Sequence, residues 1–255
     1  MGKLLGHQIK NHFKYNWFIP LLPIIFMLSG LALGRVNVEF GGVAFGLAAL
    51  AVGFGYMAAA ISVIVGDYNM FFGESALFYE STPISPGAKT FSRLLYYLIM
   101  LLIYSLFAGI FLFLLLATNV DVTVGEMTSF WQEISQGLKQ LGIKNIFMLV
   151  SWVVLGILSS IISVIFAVTL GGGKKFRRFG FGGPVIVYII MGFIESAIVY
   201  VLGLLNLFSE VELTMTDGTV FMRGFGITGL VLMIIEIPLL LFAVYYMHKN
   251  RISVN

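Results

Sequence analysis

The chain has 255 residues, enough for one or two soluble domains, but 59% of them are hydrophobic and only 11% are charged. Soluble domains hold about 45–50% apolar and about 25% charged residues; with a mean hydropathy of +1.00 this chain is expected to be an integral membrane protein. The lack of cysteine excludes disulfides, a thiolate metal site and a cysteine nucleophile, and the net charge of +3 informs only through where the charges lie.

Leu5, Ile9, Phe13 and Trp17 recur every four residues while Lys3, Lys10 and Lys14 fall elsewhere on the helix. This spacing predicts an amphipathic helix over residues 1–16, lying in the inner interface with its lysines toward anionic headgroups. The plainer alternative is a fraying basic tail that only sets topology. Six apolar stretches then reach the length of a spanning helix, about 20 residues: Trp17 to Gly34, Gly42 to Gly66, Leu94 to Ala117, Ile146 to Leu170, Val185 to Phe208 and Ile227 to Tyr246. They are continuously apolar, without the alternation of a barrel strand. The first is read as a span rather than a cleaved leader, because its apolar run exceeds the about 7–15 residues of a signal core.

Placing the N-terminus inside puts Lys3, Lys10, Lys14, Lys89, Arg93, Lys174, Lys175, Arg177, Arg178, Lys249 and Arg251 on inner segments. Only Arg35, Lys139, Lys144 and Arg223 then fall outside. That bias predicts both termini inside. The expected fold is an all-α membrane protein, a single transmembrane domain over residues 1–255 with six transmembrane helices.

The connection at residues 67–92 is long for an inner loop and unlike a solvated linker. It carries Asp67, Glu74 and Glu80, the aromatics Tyr68, Phe71, Phe72, Phe78 and Tyr79, and then Thr82-Pro83-Ile84-Ser85-Pro86. Ser85 before Pro86 reads as a helix N-cap with proline in the first helical position, so a helix can run from there through Lys89 into the third span. The loop is expected to form two short helices broken at Pro83. Its exposed aromatics point to a docking surface, or alternatively to a loop folded onto the membrane face.

In the outer loop at residues 118–145, Met127, Phe130, Trp131, Ile134, Leu138 and Leu141 follow helical spacing, with Thr123 and Glu126 as a capping box. An amphipathic helix on the outer membrane face, or capping the bundle, is expected. Gly171-Gly172-Gly173-Lys174-Lys175 lacks the Ser or Thr of a phosphate loop and is flanked by spans, so it reads as a turn whose charges fix topology. At residues 209–223, Val211, Leu213 and Met215, then Val220 and Met222, alternate around Asp217-Gly218, which predicts a β-hairpin. Gly30 with Gly34, and Gly42 with Gly46, are small-residue pairs of the kind found at helix–helix or dimer seams.

Two carboxylates interrupt the spans: Glu195 in the fifth and Glu236 in the sixth. Counted from the inner ends, both lie at roughly 18 Å depth at about 1.5 Å per residue, so they share a level. Such groups cost on the order of 3 kcal/mol each in hydrocarbon. Either they line a path for a cationic or amphipathic substrate, or they are protonated and bonded to a neighbouring helix or to Arg35. For Glu236 the second reading is favoured, because Pro238 frees a backbone carbonyl that needs a donor.

An N-terminal interfacial helix, six spans with both ends inside, and an acidic, aromatic loop ending in Tyr79-Glu80-Ser81-Thr82-Pro83-Ile84-Ser85 with Lys89 following resemble the membrane (permease) subunit of a bacterial type-2 ABC exporter. The family's common pattern is roughly Thr-Leu-Pro-Val-Ser, and here Thr82 stands where the leucine would be. The resemblance covers the whole chain in architecture and the 67–92 segment in sequence. It implies that this segment is a cytoplasmic coupling helix seated in a groove of a separate ABC ATPase subunit. The residues that would carry the contact are Glu74, Phe78, Tyr79, Glu80, Thr82, Pro83, Ser85 and Lys89. It further implies no cofactor in this chain, ATP and Mg being bound by the partner ATPase, and a second permease subunit, the same or paralogous. A multi-pass location in the bacterial plasma membrane, contact with membrane lipid and not nucleic acid, and export of a hydrophobic or amphipathic substrate such as a peptide also follow from it.

Two other classes stand beside this reading. A secondary transporter would show repeated halves with interrupted helices; Pro20, Pro23 and Pro238 lie in the first and sixth spans, without a repeat. An intramembrane protease lacks His-Glu-x-x-His and Gly-x-Ser-x-Gly, and would have to use Glu195 and Glu236. His7, His12 and His248 lie at the termini, where they are expected to be outside any dry membrane site.

Overall fold

A computed structural model describes residues 2–34, 36, 38–73, 75–81, 84–119, 124–205, 212–216, 219–223 and 227–250. The described chain is helical apart from one small β-ribbon. In order it forms α1 (Gly2–Asn16), α2 (Leu22–Gly34), α3 (Val38–Phe71), α4 (Ala76–Ser81), α5 (Pro86–Asn119), α6 (Val124–Gly171), α7 (Gly182–Leu204), β1 (Glu212–Thr216), β2 (Thr219–Arg223) and α8 (Ile227–Asn250). Five helices contain a segment long and apolar enough to cross a membrane: Gly46–Phe71, Pro86–Phe111, Asn145–Gly171, Gly182–Leu204 and Thr228–Asn250.

The first expected span is the exception. Trp17 to Leu21 forms a turn, and α2 has only 13 residues, about 20 Å of helix where a hydrocarbon core is about 30 Å thick. Pro20 and Pro23 explain this. Neither has an N–H to donate, so both are tolerated only before a helix or in its first turn. They push the helix start to Leu22.

The chain divides into two compact units, Met1–Met127 and Thr128–Asn255. In the first, α2 lies against α3, and Met27, Ala48 and Phe111 close a small core with Val52 beside it. Both α3 and α5 run 34 residues, about 51 Å each and well beyond the hydrocarbon. The connection read at 67–92 is therefore shorter than its sequence suggests: α3 continues to Phe71 and α5 starts at Pro86. At that start the backbone N–H of Ala88 donates to Ser85 Oγ at 3.3 Å, the N-cap bond that Ser85-Pro86 predicts.

In the second unit α6 is one uninterrupted helix of 48 residues. Val124 to Lys144 thus extends the spanning segment and is not a separate helix laid on the membrane face. Thr123 and the side chains of Met127, Phe130, Trp131, Ile134, Leu138 and Leu141 lie outside the described residues. The α6–α7 turn holds Gly180 at φ 55° and a short 3-10 helix, Arg177–Phe179. Arg178 lies over the Phe179 ring at 4.7 Å. Here the backbones of the two helices touch: a Cβ at Gly171 would run into Gly183 and Pro184, and one at Gly183 into the Gly171 carbonyl. Glycine at both positions is what lets the turn close.

The ribbon pairs Leu213 with Met222 and Met215 with Val220, and Glu212 stands opposite Arg223. Asp217 and Gly218 lie outside the described residues. Among the described residues nothing approaches within 4 Å of a Cβ built at Gly42 or Gly46.

Candidate functional sites

Two polar clusters stand out against the apolar helices, one in each unit. The first lies where α1 meets α3, α4 and α5. Asp67, at the end of α3, and Arg93, in the second turn of α5, are fully buried. Arg93 Nε donates to Asp67 Oδ1 at 2.8 Å, its second guanidinium nitrogen to Oδ2, and Tyr97 Oη donates to Oδ2 at 3.1 Å. The Phe71 ring lies 4.9 Å from the guanidinium carbon. The carboxylate thus takes charge-assisted bonds from two directions, as a buried ion pair requires.

α1 docks beside this pair through its polar stripe, not its apolar one. The buried residues of α1 are Leu4, Gln8 and His12, spaced by four and so on one face. Ser92 Oγ donates to Gln8 Oε1 at 2.9 Å. Both ring nitrogens of His12 are bonded to tyrosine hydroxyls at 2.9 Å, Nε2 to Tyr104 and Nδ1 to Tyr96. Gly66 leaves room for this: a Cβ there would stand 3.3 Å from Tyr96 Oη. Leu5, Ile9 and Phe13 are only partly buried and Trp17 is exposed, as suits a stripe turned to lipid. His12 lies outside the spanning helices, yet it is buried within the protein at 2% exposure. Burial lowers its pKa from 6.5 to about 4, so the ring is neutral at pH 7, one nitrogen donating and the other accepting.

The residues assigned to ATPase coupling are distributed unequally here. Tyr79, on α4, is buried at 2% exposure against Leu4, Met70 and Phe71, and is bonded through its hydroxyl to His7 Nδ1 at 2.6 Å. Burial pushes its phenol pKa up. Lys89 is buried as well, whereas Ser85 is exposed at the start of α5. The expectation of exposed aromatics is therefore corrected at Phe71 and Tyr79: they fasten α4 to α1 and α3. On α4 it is Leu77, 65% exposed, that faces outward. Glu74, Thr82 and Pro83, and the side chains of Phe78 and Glu80, lie outside the described residues.

The second cluster joins the two intramembrane glutamates. Ser159 and Ser163, one turn apart on α6, donate to Glu236 Oε2 at 2.8 Å and Oε1 at 3.1 Å. Glu195, on α7 and exposed, lies within hydrogen-bonding reach of the same Glu236 side chain. The bonding of Glu236 to a neighbouring helix is found, with serines of α6 as the donors. Arg35, the other expected partner, lies outside the described residues. Among the described residues no group of three or more His, Cys, Asp or Glu could hold a metal ion.

No known protein family, curated protein or solved structure matches this chain. The sequence pointed to neither the Asp67–Arg93–Tyr97 cluster nor the His12 site. The available signal was a four-residue repeat of polar groups on one face, Gln8 with His12 and Ser92 with Tyr96.

Proposed function

We propose that the chain is the permease half of an ATP-driven ABC exporter, moving a hydrophobic or amphipathic substrate such as a peptide out of a bacterial cell by alternating access. Separate ATPase subunits bind ATP and Mg, and a second permease subunit completes the path. The observation that carries the reading is α4: a short helix between two long apolar helices, beside the Thr82-Pro83-Ile84-Ser85 segment, fastened by Tyr79 to both α1 and α3. A short element tied in this way transmits a push to the helices it is fastened to, which is what a motor-driven permease needs. Leu77, exposed on the same helix, is the described side chain best placed to enter a groove on an ATPase.

The test is co-purification from detergent of an ABC ATPase with the tagged chain. We expect the native protein to retain it, and Leu77→Asp to lose it while still eluting as a folded species. Absence of any ATPase from the native preparation overturns the proposal.

A second reading, a proton-coupled secondary transporter, draws on Glu195 and Glu236, because carboxyl groups within the membrane are what the proton relays of such carriers use. Glu195→Gln and Glu236→Gln separate the two. In the exporter they are expected to reduce substrate flux without altering ATPase binding; in a proton-coupled carrier they abolish proton uptake. Unchanged flux in both variants removes the pair from the path.

A further inference from the structure

An open cleft of about 840 Å³ lies between α1 and α3, bordered by the buried His12 and lined by polar side chains. Asn11 and Tyr15 come from α1, Asn69 from α3, and Ser75 from the start of α4. Asn11, Asn69 and Ser75 thus place amide and hydroxyl donors on both walls. No carboxylate is among the described lining residues. The nearest described one, Asp67, is fully buried and paired with Arg93.

A cation stands beside the cleft: Lys14 is exposed on α1, and its ammonium sits at 5.1 Å over the ring of Tyr15, one of the lining residues. Directly beyond, Tyr15, Trp17 and Phe18 are 63%, 60% and 46% exposed. Exposed tyrosine and tryptophan beside an amphipathic basic helix mark the headgroup level of a bilayer. Neutral hydrogen-bond donors inside, a cation beside them and aromatic rings at headgroup depth fit one chemical class: an anionic phosphodiester carried on acyl chains.

We propose that the α1–α3 cleft binds the headgroup of an anionic phospholipid, with Asn11, Asn69 and Ser75 donating to its phosphate or glycerol oxygens and Lys14 balancing its charge. The lipid then seats α1 against α3 from the side that protein contacts leave open. This does not rest on the exporter reading, and its test needs no ATPase.

The chain is placed in mixed nanodiscs of phosphatidylglycerol and phosphatidylcholine, extracted under mild detergent, and its retained lipid counted by native mass spectrometry. We expect phosphatidylglycerol to be retained over phosphatidylcholine. Asn11→Asp and Asn69→Asp are each expected to lower that retention about fivefold, the effect of one unit charge close to a phosphate; Asn69→Gln should preserve it. A photoactivatable phosphatidylglycerol should cross-link the native protein at peptides of α1 and α3, a readout that requires no substitution. Equal retention of the two lipids, undiminished retention in both Asp variants, or cross-links spread evenly over the apolar helices would each overturn the site. Competition by soluble glycerol phosphate as strong as by the lipid would overturn the lipid as its occupant.

Discussion

Arg93→Leu is expected to destabilise the protein by about 3–5 kcal/mol, the cost of stranding one member of a buried ion pair. Asp67 would keep its burial and its bond from Tyr97 while losing all the guanidinium bonds. Asp67→Leu takes the carboxylate from the buried Arg93 and is likewise expected to destabilise the protein. The double variant Asp67→Leu, Arg93→Met is expected to recover most of the loss, because two apolar side chains need no desolvation offset. A residual cost of about 1 kcal/mol should remain from the Tyr97 hydroxyl, left without its acceptor, and Tyr97→Phe should relieve it. Thermal unfolding in detergent, followed by tryptophan fluorescence, measures all four variants. A single variant as stable as the native protein would show that the pair is not closed in solution. The loss is large against a typical total of about 5–15 kcal/mol, so reduced expression and early proteolysis at the α3–α5 connection should accompany it.

That ion pair also shows how far hydropathy reads this molecule. Spans drawn by apolar runs stop at Gly66 and resume at Leu94, immediately inside Asp67 and Arg93, because a charge taken singly ends a run. Paired, the two are neutral together, and the helices carry on through them. The pairing is a tertiary fact between residues 26 apart, and periodicity along one helix does not report it. The five long helices were legible because continuous hydrophobicity needs no knowledge of neighbours. The first expected span holds only a short regular helix for a local reason that was in view, Pro20 and Pro23 within one turn.

α1 shows a different limit. The repeat of Leu5, Ile9, Phe13 and Trp17 correctly gave a helix, but in a membrane the apolar stripe turns to lipid and the polar one turns inward. Gln8 and His12 are therefore the docking residues, the reverse of the soluble rule. Rise per residue is constant, so the sequence could place Glu195 and Glu236 at one level. Which helix would supply the donors to Glu236 depended on the facing of α6, where Ser159 and Ser163 look like ordinary small residues of an apolar run.

The inward turn of α1 makes the protein sensitive to acid through His12. Its ring is held neutral between Tyr96 and Tyr104, with the folded pKa lowered by burial to about 4 against 6.5 unperturbed. Below pH 6.5 the unfolded chain takes up a proton that the folded chain refuses, so the unfolded state binds more protons and stability rises with pH. The stabilisation is complete above pH 6.5, is lost as pH falls toward 4, and changes no further below that. The shift of about 2.5 pKa units corresponds to about 3 kcal/mol across the window. Among the described residues, Asp67 beside this site is already paired with Arg93 and is not free to hold an imidazolium. His12→Gln keeps a donor and an acceptor for the two tyrosines without a titrating ring. It is expected to be somewhat less stable at pH 8 and to lose the His12 part of the acid slope, so that the native and variant curves converge between pH 6.5 and 4. Carboxylates elsewhere titrate in the same range in both proteins and cancel in the difference. Parallel curves over that window would mean that water reaches the ring and that α1 does not seal the junction of α3 and α5.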